Sequence, residues 1–313
     1  MEQQASPLLS ILIPTWNRVL PVLEAVESIG PISPDMEIVI VDNASEPALF
    51  EELQRQLGLR PGIRLFRNEI NLGMVRNWNR CLEQAQGEWL GLLCSDDRYR
   101  PGAIERFREI VRTQQEPVLI IQDPTSDREL AVAPAGSETV RNLRLPIASG
   151  NFWHRRVYEQ VGGFDERFDY SADAEYWYRA AFSFPVVKVR EPFAVYVSHE
   201  DNYMWATWRR SDYLQQTELL ARTVAGYLYA TAPDHAALIE RHVTTSRWQT
   251  VLTIVTCTFL AKGKMDIFLR YFRVAVRQAG SLPRKRQLLT ALLSAVVCRV
   301  RTPLEKRGES SND

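Results

Sequence analysis

The strongest constraint on the fold is a series of short apolar runs that each end abruptly in polar residues. Runs of this length and composition are typical of strands buried on both faces, as in a parallel sheet. Segments with helical spacing of apolar residues separate them, so the sequence predicts β–α–β units around a mostly parallel sheet. The clearest runs are LLSILI at 8–13, EIVIV at 37–41 and WLGLLC at 89–94.

Polar side chains follow these runs at the points where the predicted strands end. Ligands of open α/β sheets bind beyond the carboxyl ends of the strands, so these side chains are expected at one edge. The pair Asp96-Asp97 alone would be an ordinary polar loop, but its convergence with the other strand ends favours a binding site. The residues are Thr15, Asn17, Asp42, Asn43, Asn71, Asp96 and Asp97.

Charge is balanced overall but unevenly distributed along the 313 residues. Lys+Arg and Asp+Glu both number 38, which argues against a nucleic-acid partner. Residues 262–307 carry a net charge of +10, whereas residues 1–261 carry −8. Composition shifts to continuous helical spacing near residue 211, so we predict an α/β catalytic domain at 1–208 and a helical, basic region at 209–313.

The basic region has two interpretations. Its helices either pack with a solvated basic face, or lie on an anionic membrane surface through residues 262–307, as apolar faces rimmed by Lys and Arg do. We favour the second. The apolar runs at 251–261 and 288–298 are shorter than the roughly 20 residues of a membrane-spanning helix.

The location expected from the sequence is cytoplasmic, with a peripheral place on the cytoplasmic face of the inner membrane as the extension of the lipid hypothesis. The four cysteines lack CxxC spacing, which is typical of reduced thiols. The first residues, MEQQASPLLSILIP, lack the basic and apolar regions of a secretory signal.

Two phosphate-binding motifs are absent from the sequence, namely GxxxxGK[ST] and a GxGxxG after the first strand. A nucleotide diphosphate bound without a glycine-rich loop needs its charge neutralised in another way, usually by a divalent cation on carboxylates. Asp96 and Asp97 could supply those carboxylates, since Mg²⁺ takes one or two of them together with substrate phosphates.

Six segments, in this order and spacing, resemble the family 2 glycosyltransferases over roughly Ser10–Trp208. The resemblance implies a GT-A fold and an inverting reaction from a nucleotide-sugar donor. The segments are SILIPTWNR at 10–18, EIVIVDNAS at 37–45, NLGMVRNWNRCLEQAQGEWLGLLCSDDRYRPGAI at 71–104, SGNFWHRRVYEQVGGFDERF at 149–168, SADAEYWYRAA at 171–181 and YVSHEDNY at 196–203.

The same resemblance assigns roles to individual residues. The metal, Mn²⁺ or Mg²⁺, would lie on Asp97, with His199 as a second ligand. The family often has D-x-D-D here, and Cys94 replaces its first carboxylate. Small residues Ser149, Gly150 and Asn151 would floor the acceptor pocket. The nucleotide and donor residues would be Pro14, Thr15, Asn17, Asp42, Asn71, Gly73, Asn79 and Asp96.

Asp173 is the candidate general base, because it lies in the segment where the family places that carboxylate. Inversion requires the acceptor hydroxyl to attack opposite the leaving diphosphate, and a nearby carboxylate can take its proton. The alternative role of Asp173 is to stabilise a helix N-terminus. Glu175 is the second candidate for the base.

Three local expectations concern the surroundings of this site. Residues 123–144 are polar and are predicted to form a loop over it. Residues 186–197 are predicted to form a β-hairpin interrupted at Pro192. Four aromatic residues would either stack on sugars or belong to the core: Trp153, Tyr176, Trp177 and Trp205.

The function expected is a metal-dependent inverting glycosyltransferase acting on a glycan or a lipid-linked glycan, as in surface polysaccharide biosynthesis. Two alternatives remain open. A non-catalytic sugar- or nucleotide-binding protein would keep the pocket without the base. A sugar-nucleotide pyrophosphorylase would need a glycine-rich, basic loop after the first strand, where this chain has PTWNRVLP.

Overall fold

The computed structural model describes residues 6–143, 148–169, 171–197, 203–230, 232, 234–258, 264–281 and 283–292. The chain divides into two compact units, Met1–His199 and Glu200–Asp313. The sequence predicted the boundary slightly later, after residue 208, so the short helix that precedes Arg210 falls in the second unit.

The first unit alternates strands and helices around an eight-stranded sheet of order β3-β2-β1-β4-β8-β6-β9-β7, and β5 pairs with β10 in a small second sheet. The elements are β1 (Leu9–Thr15), α1 (Leu20–Ile29), β2 (Met36–Asp42), α2 (Pro47–Leu57), β3 (Ile63–Arg67), α3 (Met74–Gln84), β4 (Trp89–Leu92), β5 (Arg98–Tyr99), α4 (Ala103–Val111), β6 (Leu119–Gln122), β7 (Leu130–Ala133), α5 (Ser137–Asn142), β8 (Asn151–His154), α6 (Arg155–Val161), α7 (Ala172–Ser183), β9 (Val186–Val189) and β10 (Ala194–Val195).

Strand β1 lies at the centre of a parallel half-sheet, between β2 and β4. Every residue of β1 and β2 is buried, as the uninterrupted apolar runs predicted. In this register Thr15 lies opposite Asp42, and Leu12 lies opposite Leu92. The carboxyl ends of all three strands therefore reach the same edge of the sheet, which confirms the predicted fold class.

Two local predictions were wrong. Residues 123–144 are not a loop throughout, because they contain edge strand β7 and helix α5. Residues 186–197 do not form a hairpin: β9 pairs with β6 and β7, whereas β10 pairs with β5. In both places the pairing partner is distant in sequence, so local patterns do not reveal it.

Three of the four aromatic residues considered for sugar stacking belong to the core. Trp153, Tyr176 and Trp177 have no exposed surface. The Trp153 ring packs against both others, with centroids 5.7 Å and 5.2 Å away, and Phe164 lies 4.6 Å from Tyr176. This cluster packs helix α7 against strand β8.

The second unit is helical, as predicted. Its helices are α8 (Tyr203–Arg209), α9 (Tyr213–Tyr229), α10 (His235–Thr258) and α11 (Met265–Gln278), and residues 283–292 are also helical. Buried residues such as Trp248, Val255 and Tyr271 form its own core. Trp205, the fourth aromatic candidate, packs against this core beneath Lys264. Of the helices within the described ranges, none is both long and apolar enough to cross a bilayer.

Candidate functional site

The end of β2 is tied to the turn before α3 by a buried amide. Asn43 donates from Nδ2 to Asn71 Oδ1 at 2.9 Å and to the Gly73 carbonyl at 3.2 Å. Its Oδ1 accepts from Asn68 Nδ2 at 3.0 Å and from the Leu72 N–H at 2.9 Å. Gly73 has a φ of 83°, which favours glycine. The two loops that the sequence predicted at one edge are thus joined by hydrogen bonds.

The loops after β1 and β2 are also locked together. The buried carboxylate of Asp42 accepts hydrogen bonds from the N–H of Ser45 at 3.0 Å and from its hydroxyl. The Ser45 hydroxyl in turn accepts from the Asn17 N–H at 2.7 Å, and Asn17 Oδ1 accepts from the Glu46 N–H at 2.9 Å. Asp42 and Asn17 are therefore held in fixed positions at this edge.

The end of β1 is linked to the loop after β4 by charge. Arg18 Nη1 lies 2.5 Å from Asp96 Oδ2, and both side chains are partly exposed. Pro14 and Thr15 are buried in β1, and the Thr15 hydroxyl has no hydrogen-bond partner among the residues that the structure describes. An orphaned hydroxyl at a strand end is available to a ligand.

Asp97, in the loop after β4, is buried at this edge, with 3% of its surface exposed. Its Oδ2 accepts from the Ser149 hydroxyl at 2.6 Å, and its Oδ1 accepts from the Val197 N–H at 3.1 Å. Burial raises the pKa of Asp97, the two hydrogen bonds lower it, and the charge of Asp96 raises it further. Within the described part of the chain, no Lys or Arg forms an ion pair with this carboxylate.

Ser149 is completely buried, and its hydroxyl orients Asp97. While it donates to Asp97, its oxygen accepts from the Cys94 N–H at 2.8 Å. The Ser149 carbonyl accepts from Gln122 Nε2 at 2.9 Å. Sequence reasoning missed Gln122, although a polar residue at the end of the run LIIQ carries the same signal as the other strand ends.

The two neighbours of Ser149 have little room around them. Gly150 has a φ of 80°, and a Cβ there would lie 2.7 Å from Cβ of Ala194. Asn151 is fully buried at the start of β8, where its Oδ1 accepts from the Gln122 N–H at 3.3 Å. Acceptor binding by Ser149, Gly150 and Asn151 stays a prediction. In the structure, this segment packs beside Asp97 through the Ser149 hydroxyl.

Asp173 lies in the first turn of α7, beside the end of β4. Burial raises its pKa to about 6, although backbone hydrogen bonds from Ala174 and from its own N–H lower it. The thiol of Cys94 is a neighbour: its pKa is raised by burial first, and the charges of Asp97, Asp96 and Asp173 also contribute. The structure thus brings the candidate base close to the acidic loop.

Glu175, the second candidate for the base, is held elsewhere. Its carboxylate accepts from Arg179 Nε at 2.8 Å and from Nη2 at 2.9 Å. Arg179 also donates to the Gly163 carbonyl at 2.8 Å. This buried, bidentate ion pair fastens α7 to the turn that follows α6, which is a structural task.

Asn79 is hydrogen-bonded to the turn that follows α6. Its Nδ2 donates to the Phe164 carbonyl at 2.9 Å, and its Oδ1 accepts from the Phe164 N–H at 2.8 Å. Both ends of the amide are therefore engaged by backbone. His199, expected as a metal ligand, lies outside the described residues.

A divalent cation fits the donor set around Asp97. Asp96 and Asp97 offer carboxylate oxygens, the ligands that Mg²⁺ and Mn²⁺ prefer. The raised pKa of Asp97 reflects first the burial of its negative charge, which the neutral donors Ser149 and Val197 and, last, the charge of Arg98 offset only in part, and a cation would relieve that cost. Across the described ranges, no three His, Cys, Asp or Glu residues cluster around a common point.

Comparison with protein families supports the sequence resemblance. Residues 10–133, from β1 through β7, match the model of glycosyl transferase family 2. This range contains Asp42, Asp96 and Asp97 but ends before Asp173.

Three relatives of known sequence match part of the chain. Uncharacterized protein MT1568 of Mycobacterium tuberculosis is 39% identical over 102 residues, 32% of this chain and 31% of that protein. Uncharacterized glycosyltransferase YwdF of Bacillus subtilis is 27% identical over 58% of this chain and 70% of its own length. The putative colanic acid biosynthesis glycosyl transferase WcaA of Escherichia coli is 32% identical over 105 residues, which are 33% of this chain and 37% of that protein. The chain thus spans only about a third of two of these relatives.

Two solved structures share the fold. TarS residues 1–349 of S. aureus, in complex with UDP-GlcNAc, align over 92% of this chain and 80% of that one, with a TM-score of 0.56 and 14% identity. The mannosyltransferase PcManGT from Pyrobaculum calidifontis, in complex with GDP-Man and Mn²⁺, aligns over 95% and 88%, with a TM-score of 0.55 and 14% identity. At this identity the likeness establishes the fold alone.

Proposed function

We propose that the protein is a family 2 glycosyltransferase that moves a sugar from a nucleotide-diphosphate donor to a hydroxyl of a glycan or lipid-linked glycan. One observation carries the proposal: the polar ends of β1, β2 and β4 form a single hydrogen-bonded edge that includes the buried carboxylate of Asp97, and the half-buried carboxylate of Asp173 lies close enough for its charge to raise the pKa of Cys94. The family match over residues 10–133 supports it, because that range contains the three strands.

The donor would lie across the ends of β1 and β2. Asn17 is fixed at this edge through the Ser45 hydroxyl and can contact a nucleoside there. The Asp42 carboxylate is fully buried, accepts from Ser45 and lies 3.7 Å from Arg67 Nε, so a direct hydrogen bond from the base to Asp42 would need these groups to move. Thr15 offers its orphaned hydroxyl. Asn71 and Gly73 would line the same pocket, since Asn43 holds their turn against β2.

Asp97 would hold Mn²⁺ or Mg²⁺, with His199 as the second ligand carried over from the sequence. The cation would neutralise the charge that develops on the leaving diphosphate. Asp96 would contact the donor, and Arg18 keeps its carboxylate turned toward the end of β1. The structure of PcManGT with GDP-Man and Mn²⁺ is consistent with a cation in this fold.

Asp173 would act as the general base of an inverting reaction. The acceptor oxygen forms its bond to the anomeric carbon as the bond to the diphosphate breaks, and its proton passes to the Asp173 carboxylate. With a pKa of about 6, this carboxylate is ionised at neutral pH and is a stronger base than an exposed aspartate. That combination suits proton abstraction.

The acceptor class and location are inferred from relatives. WcaA carries colanic acid biosynthesis in its name, which supports a role in surface polysaccharide assembly. We place the protein in the cytoplasm, where nucleotide sugars would reach it, with a peripheral position on the cytoplasmic face of the inner membrane.

Donor binding tests the proposal. Thermal unfolding with UDP, GDP, TDP or CMP and Mn²⁺ should show one nucleotide that raises Tm by about 5 °C at a concentration near 100 Kd. EDTA should remove most of the shift. Slow hydrolysis of the matching nucleotide sugar, dependent on Mn²⁺, would exclude a non-catalytic binding protein. A panel without any stabilising nucleotide would contradict the proposal.

A further inference from the structure

Helix α11 exposes an apolar stripe that its own core does not use. Met265, Leu269 and Val276 are 55%, 43% and 53% exposed. At about 100° per residue, these three positions fall within an arc of roughly 40°. The buried face of the helix, which includes Phe268, Tyr271 and Ala275, lies on another side of the same cylinder.

Arginine side chains border the stripe on the exposed face. Arg273 and Arg277 follow Leu269 by one and two helical turns, and both are exposed. In the described part of the chain, neither forms an ion pair. Arg270, farther round the helix, donates to the Arg209 carbonyl at 2.7 Å. The exposed surface of α11 is therefore divided into an apolar half and a cationic half.

The next helical segment, 283–292, has the same character. Leu289 is 58% exposed, and Lys285 and Arg286 precede it by one helical turn. Residues 264–281 and 283–292 together contain seven Lys or Arg and a single acid, Asp266, which is paired with Arg209 at 2.8 Å. We call the exposed side chains of Met265, Leu269, Arg273, Val276 and Arg277 on α11 the basic-apolar face.

We propose that the basic-apolar face docks onto an anionic lipid bilayer, with α11 lying in the plane of the interface. Apolar side chains rimmed by Lys and Arg enter the headgroup region while the cations bind anionic lipids. The 14 residues of α11 are too few to span a bilayer, which needs about 20. This proposal does not depend on the transferase activity.

Other occupants fit this face less well. A second copy would bring two surfaces of the same positive sign together, which opposes association. A nucleic acid would pair with the arginines but would leave Leu269 and Val276 against phosphate and water. An anionic bilayer can accept the apolar side chains in its headgroup region and bind the arginines through its charged lipids.

Co-sedimentation of the full chain with vesicles tests the proposal. Vesicles of phosphatidylcholine mixed with phosphatidylglycerol should bind the protein, and pure phosphatidylcholine should bind it weakly. Arg273→Gln with Arg277→Gln should weaken binding about 30-fold, since each basic residue near an anionic surface contributes roughly fivefold. Leu269→Ser with Val276→Ser should also weaken it, and more so at high salt, where the electrostatic part is screened.

Matched controls separate this face from general charge and hydrophobicity. Arg60→Gln with Arg241→Gln removes two exposed arginines elsewhere, and Leu59→Ser with Val132→Ser removes two exposed apolar side chains of the first unit. Both controls should bind like the wild type, and all variants should keep its Tm. Equal binding to neutral and anionic vesicles, or test variants that bind like the controls, would overturn the proposal. So would self-association in sedimentation velocity that the Leu269→Ser, Val276→Ser variant abolishes while vesicle binding persists.

Discussion

Two buried acids, one at each edge of the main sheet, differ in their partners. At the amino-terminal edge, Glu37 accepts hydrogen bonds from Arg64 Nη1 at 2.9 Å, from the Ser10 hydroxyl at 2.5 Å and from the Gln86 N–H at 2.6 Å. At the carboxyl-terminal edge, where Asp42 and Asp96 each have an Arg partner, Asp97 receives only the neutral donors Ser149 and Val197 from the described residues. Glu37 thus has its counterion in the fold, whereas Asp97 forms no ion pair within the described part of the chain.

The amino-terminal edge also has a cavity of about 370 Å³. Two pairs of its ionisable lining groups contact each other: Arg108 binds Asp35 at 2.7 Å, and His154 lies 3.3 Å from Glu88. The proposed site is chosen on the chemistry of its groups and not on cavity volume. A buried carboxylate without a counterion in the described residues, such as that of Asp97, favours a ligand site at the opposite edge.

The comparison predicts its largest effects for the two buried acids. Asp97→Asn should lower turnover about 10³-fold, because loss of the cation's carboxylate costs several kcal/mol of transition-state stabilisation. Glu37→Gln should leave turnover within about twofold but lower the free energy of unfolding by about 1–3 kcal/mol, since it breaks a partly buried ion pair. Steady-state rates of both variants measure the change in turnover, and urea unfolding measures the change in the free energy of unfolding. Equal loss of activity in the two variants would remove the distinction between the edges.

A smaller effect is expected for the two buried serines that donate to these acids. Ser149 and Ser10 are both fully buried. Ser149→Ala should weaken Mn²⁺ activation about 10-fold, because ligand-orienting hydrogen bonds contribute that much to metal affinity. Ser10→Ala should cost about 1–2 kcal/mol of stability without changing the Mn²⁺ requirement. The two variants can be distinguished by measuring activity and the electron paramagnetic resonance signal of Mn²⁺ as functions of Mn²⁺ concentration. An unchanged Mn²⁺ affinity in Ser149→Ala would refute the positioning role of Ser149.

The parallel half of the fold was predictable because its strands are buried on both faces. Their apolar runs in β1, β2 and β4 are uninterrupted, and each ends at a polar residue. Edge strand β7 was missed, since it is short, half-exposed and surrounded by loop-forming residues. The pairing of β10 with β5 joins segments nearly a hundred residues apart, and no local pattern carries that information.

The site was predictable as a set of strand ends but not as a set of contacts. Convergence of Asp42, Asn71 and Asp96 followed from the parallel topology. The bond from Ser149 to Asp97 crosses 52 residues, and the link from Gln122 to Ser149 crosses 27. The sequence suggested only that Ser149 is small; which carboxylate its hydroxyl meets depends on the register of β8 beside β4.

Turnover of Asp173→Asn tests the central claim most directly. The pH profile of kcat/KM for the wild type should rise through the pKa of Asp173, about 6, because the base must be ionised. The variant should lose about 10²–10⁴-fold in kcat, the usual contribution of a general base, while its Kd for the donor nucleotide changes less than about twofold. Near-normal turnover in Asp173→Asn, with the same rise in the pH profile, would contradict the account.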